Sequence, residues 1–249
     1  PNVAHIGTAR RSAMNAAAAR LRAARIEKAA LCATDADSVV APTWLAWTLR
    51  ELEGADVVTG RITIDPLEYA ALPQSVRVML AEEDAYHFAV TRLAACLNPV
   101  AHDPWPRHWQ RSGPSLAVRL AAYEEAGGVP PVRTLEDVAL YDALARSGAR
   151  IRHSLRVRVA TSARFHSRAP GGFGERIGTW HAAGDGYRPL IVPNAHITIA
   201  ELRGDSAAAA AIDAPGMPAA EATAILRQAS ACGVRDARAT LNNVASIAG

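Results

Sequence analysis

Between Ala29 and Thr34 the chain reads Ala-Ala-Leu-Cys-Ala-Thr, and Asp35-Ala36-Asp37-Ser38 stops it at once. An uncharged run this short, with no polar alternation, is the pattern of a strand covered on both faces. Strand, helix and strand then follow one another in short order, the signature of a layered α/β domain. The flanking sequence supplies them. Ala13 to Lys28 is alanine-rich, with Leu21 and Ile26 on one side and arginines on the other, an amphipathic helix. Pro42 suits a first helical position, and Thr43 to Glu53 carries Trp44, Leu45, Trp47, Leu49 and Leu52 until Gly54 ends it. Asp56 to Ile64 is β-branched and partly alternating, a second strand.

Further along, Ser75 to Leu97 has the apolar spacing of a long helix that ends at Asn98-Pro99. The following dozen residues hold Trp105, His108 and Trp109 among prolines and read as an ordered loop. Ser115 to Arg119 is a strand, Leu120 to Ala126 a helix closed by Gly127-Gly128, and Leu135 to Ser147 a helix closed by Gly148. Arg150 to Thr161 is a strand, with Ile151, Leu155, Val157 and Val159 as its apolar members. Glycine dominates Ala169 to Tyr187, and the alanine-rich remainder from Asp205 reads as one or two peripheral helices.

Composition narrows the function classes by exclusion. The net charge of +3 is too small to argue for a nucleic-acid surface without a localised patch. Lys28 is the only lysine, and the excess of Arg and Ala is what GC-rich coding produces without selection. No run approaches the ~20 apolar residues that span a bilayer, and the N-terminus lacks the basic-then-apolar layout of a signal peptide. Cys32, Cys96 and Cys232 are odd in number, with no C-x-x-C, so neither a disulfide framework nor a zinc site is indicated. The expectation is a cytoplasmic protein with no transmembrane segment, peripheral association with the inner face of the membrane remaining open.

Four stretches could carry chemistry. Asp35 and Asp37 lie at the carboxyl end of a buried strand, where open α/β sheets place their ligands, and in extended chain both carboxylates face one side. Two adjacent carboxylates repel unless a cation lies between them, and Mg²⁺ or Mn²⁺ bridging to phosphate is a natural occupant; an Asp before a helix is also a common cap or turn residue. Thr134-Leu135-Glu136-Asp137 opens a helix as a capping box, yet a carboxylate favoured by the helix dipole can also accept a proton from a hydroxyl. Gly113-Pro114-Ser115-Leu116-Ala117-Val118-Arg119 runs into Ala122-Tyr123-Glu124-Glu125-Ala126-Gly127-Gly128, locally a strand and a glycine-capped helix. Arg164, His166 and Arg168 lie in a loop that could clamp a diphosphate or complete a metal site, or simply be solvated.

In this order the four stretches resemble glycosyltransferase family 2 on the GT-A fold, over about residues 5 to 175. The resemblance implies a mixed, mostly parallel, Rossmann-like sheet flanked by helices, with a helical C-terminal extension. It implies an inverting, metal-dependent transfer of a sugar from a nucleotide-diphosphate donor to an acceptor hydroxyl on a saccharide, lipid or small molecule. Asp137 then matches the general base, with Glu136 beside it on the acceptor side. Asp35 and Asp37 match the holders of Mg²⁺ or Mn²⁺ and of the diphosphate, with His166 near the metal. Gly113 and Ser115 would lie under the donor sugar, and Arg164 and Arg168 would close over the diphosphate. His5-Ile6-Gly7-Thr8-Ala9-Arg10-Arg11 resembles the family's Gly-x-x-Ala-Arg-Asn stretch, which makes Arg10 the arginine that approaches the nucleotide. On that alignment residues 1–175 form a catalytic core lacking its N-terminal part, and residues 176–249 form a glycine-rich loop and helical extension. The alternative is a degenerate GT-A-like module that binds a nucleotide sugar or a partner without turnover. Trp105, His108 and Trp109 are candidates for stacking on a sugar face or for plain packing.

Overall fold

A computed structural model describes residues 6–26, 28–111, 113–165, 172–184, 188–213 and 216–231. The chain forms two compact units, one from Pro1–Pro73 with Gln110–Gly184, the other from Gln74–Trp109 with Asp185–Gly249. The long helix expected within residues 1–175 therefore groups with the C-terminal segment.

The first unit is built on a five-stranded sheet. Its strands are β1 (Ala30–Ala33), β2 (Ser38–Val40), β3 (Val57–Ile64), β4 (Leu116–Arg119) and β5 (Ile151–Thr161), in spatial order β1-β4-β3-β5-β2. Its helices are α1 (Ile6–Ala23), α2 (Trp44–Glu51), α3 (Pro66–Ala71), α5 (Leu120–Glu125), α6 (Glu136–Arg146) and α7 (Phe173–Ala182); α4 (Gln74–Leu97) belongs to the second unit. The α/β expectation holds, but the sheet is mixed and not mostly parallel. Only β3 and β5 run parallel, whereas β1/β4, β4/β3 and β2/β5 are antiparallel. A buried apolar run looks the same whichever way its neighbours point, so hydropathy could not supply strand direction.

Successive residues divide between the two faces as a pleat requires. Val57, Leu116 and Val118 join Met14, Leu31, Tyr123, Leu140 and Leu144 in one core that contains residues of α1, α5 and α6. Val58 and Ala117 join Trp44, Leu52, Val157 and Val159 in the other, with α2. The alternation breaks once. Gly60 pairs with Ser154 but Arg61 pairs with Arg158, so β5 carries extra residues at a bulge. The phase of β5 resets there: Ser154 is fully buried, and Leu155, expected in the core, is half-buried. Glycine is required opposite the bulge, because a Cβ on Gly60 would lie 2.8 Å from the Val157 carbonyl oxygen.

Other expectations shift at their edges. The first helix begins at Ile6 and not Ala13, and it ends at Ala23, short of Arg25 at φ 54°. Within the glycine-rich stretch read as loop, Phe173–Ala182 is a helix that buries Ile177. Gly178 fits there because a side chain would meet the Phe165 carbonyl at 2.8 Å.

In the second unit, α4 shares a core with α8 (Ala195–Leu202) and a helix over residues 219–231, through Leu93, Ala195, Ala222 and Leu226. A two-stranded antiparallel sheet, β6 (Ile191–Pro193) with β7 (Gly216–Pro218), and a short α9 (Ser206–Ala210) complete it. The aromatic loop is ordered largely by packing: Trp109 stacks on His87 at 5.2 Å and meets Phe88 edge-on at 5.0 Å, while His108 is buried. Trp105 remains 42% exposed. Among the described residues no helix is long and apolar enough to cross a membrane.

Candidate functional site

Residues distant in sequence converge at the carboxyl end of β1. Asp35 lies two residues beyond the end of that strand, and the chain turns there: the Ser38 N–H donates to the Asp35 carbonyl at 3.1 Å, and β2 starts. The Asp35-Ala36-Asp37 stretch is thus a turn and not extended chain, and its two carboxylates are met by different arginines. Pairing of Ser38 with Thr161 brings this turn beside the end of β5, where the Ser38 hydroxyl donates to that of Thr161 at 3.1 Å. Arg164, three residues on, forms an ion pair with Asp37.

Arg10 is the hub. From α1 its Nη2 donates to Asp35 at 2.5 Å, its Nε to Glu136 at 3.0 Å and its Nη1 to the Gly113 carbonyl at 3.3 Å. One guanidinium with donors in a planar fork can join three acceptors in this way, which an ammonium could not do with the same geometry. The arginine side chain is 10% exposed, that of Glu136 5% and that of Asp35 28%. Gly113 has no side chain for the same reason: a Cβ there would lie 2.8 Å from the Arg10 guanidinium carbon. Helix α1 is held in turn by the Tyr123 hydroxyl, which donates to Asn15 at 2.8 Å from the start of the Ala-Tyr-Glu-Glu-Ala-Gly-Gly stretch. In that stretch the Gly128 N–H donates to the Tyr123 carbonyl with Gly127 and Gly128 at φ 80° and 74°, a glycine C-cap.

The start of α6 is not a capping box. Its N-cap position is Leu135, at φ 56° and ψ 36°, with no side-chain cap hydrogen bond. A leucine in left-handed backbone is a rare conformation that costs free energy. It leaves Asp137 for other work: one carboxylate oxygen accepts the Gly113 N–H at 2.6 Å and the other its neighbour Val138 N–H at 2.9 Å. Glu136 and Asp137 thereby grip the Gly113 peptide region, Asp137 directly and Glu136 through Arg10.

The electrostatics follow from this packing. Burial pushes the Asp35 carboxyl above the usual carboxylate range, Arg10 opposes that shift, and the charges of Asp137 and Asp37 reinforce it. Burial disfavours the charge on Arg10, but Asp35 and Glu136 together outweigh it and hold the guanidinium charged.

The structure therefore brings together Arg10, Asp35, Gly113, Glu136 and Asp137, with Asp37 and Arg164 paired beside them. Ser115 stands apart, its buried hydroxyl accepting the Trp44 indole N–H at 2.8 Å. His166 and Arg168 lie outside the described residues. Hard carboxylate oxygens suit Mg²⁺ or Mn²⁺, and two guanidinium groups stand against the two carboxylates as cations of the kind such an ion would replace. Among the described residues no group of three or more metal-ligating side chains forms, and of the residues present Asp35 and Asp37 would be the ones to hold such an ion. That fits a cation which keeps several waters and takes phosphate oxygens.

Two contributors were not read from the sequence. Glu68 of α3 accepts the Ser162 hydroxyl at 2.9 Å and the Ala163 N–H at 2.5 Å, fixing the chain that leads to Arg164. Asp65-Pro66, with Asp65 capping Leu67 and Glu68, is the helix-start signal that could have found α3. The β-branched pair Val39-Val40 could have indicated β2. No protein-family model, curated protein or solved structure matches the chain.

Proposed function

We propose that the first unit binds a nucleotide-diphosphate sugar and transfers the sugar to an acceptor hydroxyl with inversion, on a GT-A-like scaffold. The observation that supports this reading best is the Arg10 hub. It joins the arginine, the Asp-x-Asp acid and the Glu-Asp helix start that the family resemblance singles out separately, from sequence positions as far as 126 residues apart. In this account Arg10 and Arg164 face the diphosphate, and Glu136 orients Arg10. Asp137, at the mouth of α6, accepts the proton of the attacking hydroxyl, and the Gly113 N–H fixes the direction of its carboxylate. Asp35 and Asp37 would hold Mg²⁺ or Mn²⁺, which would supply charge stabilisation for a departing nucleoside diphosphate.

A second reading is favoured by one contact. Both oxygens of Asp137 already accept backbone N–H groups, which is also how a carboxylate with a purely structural role is used, so the unit would bind a nucleotide sugar without turning it over. Release of nucleoside diphosphate from a panel of donors, with acceptor sugars and Mn²⁺, separates the two. The first reading expects release that Asp137→Asn abolishes while donor binding persists. Donor binding without release from any member selects the second, and absence of binding refutes both.

A further inference from the structure

We infer that the second unit carries a binding site of its own for a neutral pyranose sugar, in a cavity between the end of α4 and the loop that holds Trp105. Such a site stands or falls independently of sugar transfer in the first unit.

The cavity measures about 350 Å³, and Ala95, Pro99, Val100, Asp103, Pro104 and Trp105 are among the residues that line it. Small-molecule sites begin at roughly 300 Å³, so the space suits a single ring. Contacts within the unit fix its walls. The Asn98 side-chain amide donates to the Leu202 carbonyl at 2.9 Å, and the Asp103 N–H turns the loop back onto the Val100 carbonyl at 3.1 Å. Arg107 Nη1 donates to the carbonyl and to the carboxylate of Asp103, at 2.9 and 3.0 Å. Phe88 meets the Trp105 ring edge-on at 6.5 Å. Of the three aromatic side chains in this loop, His108 is buried and Trp109 is held against His87 and Phe88, so Trp105 is the one with ring surface open to a ligand.

The lining offers hydrogen-bond acceptors where it might have offered donors. Pro99 and Pro104 have no N–H. Pro99 stands four residues after Ala95, so the Ala95 carbonyl in the last turn of α4 has lost its helical donor, and the Asn98 N–H already donates to Ala94 at 2.8 Å. The Asp103 carboxylate is buried, and with about four lone-pair sites it can accept hydrogen bonds in addition to that from Arg107. A ligand here must therefore bring O–H donors. Arg107 already balances the charge of Asp103, so a cationic or anionic ligand would add an uncompensated charge beside a neutral pair. A pyranose meets both demands: it is uncharged, the C–H bonds of one face lie on the indole, and hydroxyls at the ring edge donate to the acceptors.

The test uses the full chain and saturation-transfer proton NMR with the methyl glycosides of glucose, galactose and mannose, and with toluene and tetramethylammonium as apolar and cationic probes. At least one glycoside should bind, and more tightly than either probe. Trp105→Ala should weaken it about tenfold, the scale of a lost aromatic face, and Trp105→Phe should recover part of the loss. Ala101→Leu adds bulk at an exposed position of the lining and should weaken binding with Trp105 still in place, which keeps the site testable if Trp105→Ala fails to fold. Leu67→Ala, at a position 83% exposed on α3 of the first unit, should change nothing. Binding of no glycoside, tighter binding of toluene or tetramethylammonium, or unchanged glycoside affinity in either folded variant of the lining would overturn the site. Donor turnover with no Trp105-dependent glycoside binding would sink this site and spare the transferase reading. Trp105-dependent binding in a chain that neither binds nor turns over a donor would do the reverse.

Discussion

Replacing Arg10 with methionine removes the one cation that joins Asp35 to Glu136 while keeping most of the apolar stem. The hub is largely dry, with the arginine 10% exposed and Glu136 5%. Removing one partner of a buried ion pair costs roughly 3–5 kcal/mol, because the remaining charge is left uncompensated. Asp35 is 28% exposed and recovers part of its hydration, so the lower end, about 3 kcal/mol, applies. At ~2–4 °C per kcal/mol, melting should fall by about 6–12 °C at pH 7. The deficit should shrink on acidification. The folded-state pKa of Asp35 is already raised by burial, and Arg10 is the group that opposes the rise. Without Arg10 it rises further, and a carboxyl with a raised folded value contributes stability that is full below the unfolded pKa and is lost as pH climbs through the folded one. Thermal melts of both chains from pH 4 to pH 8 should therefore diverge with increasing pH. Equal melting temperatures at pH 7, or a deficit independent of pH, would refute the claim that Arg10 holds buried carboxylates together.

Three further outcomes follow from particular contacts. Gly60→Ala should cost about 1–3 kcal/mol by equilibrium urea unfolding, since the new Cβ meets the Val157 backbone at 2.8 Å inside the sheet. Leu135→Gly should stabilise by about 1 kcal/mol in the same assay, because the left-handed position favours glycine and the leucine is 50% exposed, with little burial to lose. The Asp56 carboxyl is held below its ordinary range, chiefly by the Arg150 side chain, so it contributes stability above the unfolded carboxylate pKa that disappears as pH falls through the folded one. Asp56→Asn should melt below the unaltered chain at pH 7 and converge with it as pH falls through the depressed folded-state pKa of Asp56.

The elements of the first unit were legible where one physical signal dominated. The β-branched residues of β3 and the Gly127-Gly128 stop each have a single local cause, and that strand and helix end lie where the cause places them. The run before Asp35 does form β1, but at the edge of the sheet with Leu31 buried and Cys32 exposed, and not covered on both faces, because an apolar run does not say how many neighbours its strand has. Direction and phase were not legible. Nothing in the Leu116–Arg119 segment says that β4 runs against both neighbours, and the bulge opposite Gly60 is created by pairing between segments some 90 residues apart. That pairing, not the Arg150–Thr161 hydropathy pattern, decides that Ser154 and not Leu155 is buried.

The candidate site divides in the same way. Asp35, Asp37, Glu136, Asp137, Gly113 and Arg10 were each recognisable as residues capable of chemistry, but the local grammar around them misled. An extended Asp-x-Asp and a capping box are the cheapest local readings, and both yield to contacts made from elsewhere, Arg164 in the first case and the Gly113 N–H in the second. Ser115 shows the opposite error. Its place in a motif suggested contact with a ligand, whereas burial against Trp44 makes it an acceptor for an indole N–H that would otherwise be orphaned.

The central claim is that Arg10, Asp35, Asp37, Glu136 and Asp137 form a centre for inverting sugar transfer, and the anomeric configuration of the product tests it most directly. With an α-linked nucleotide-diphosphate sugar, Mn²⁺ and an acceptor, proton NMR should record a β-glycoside whose formation stops in Asp137→Asn. An α-glycoside, or transfer that continues in Asp137→Asn, would contradict it.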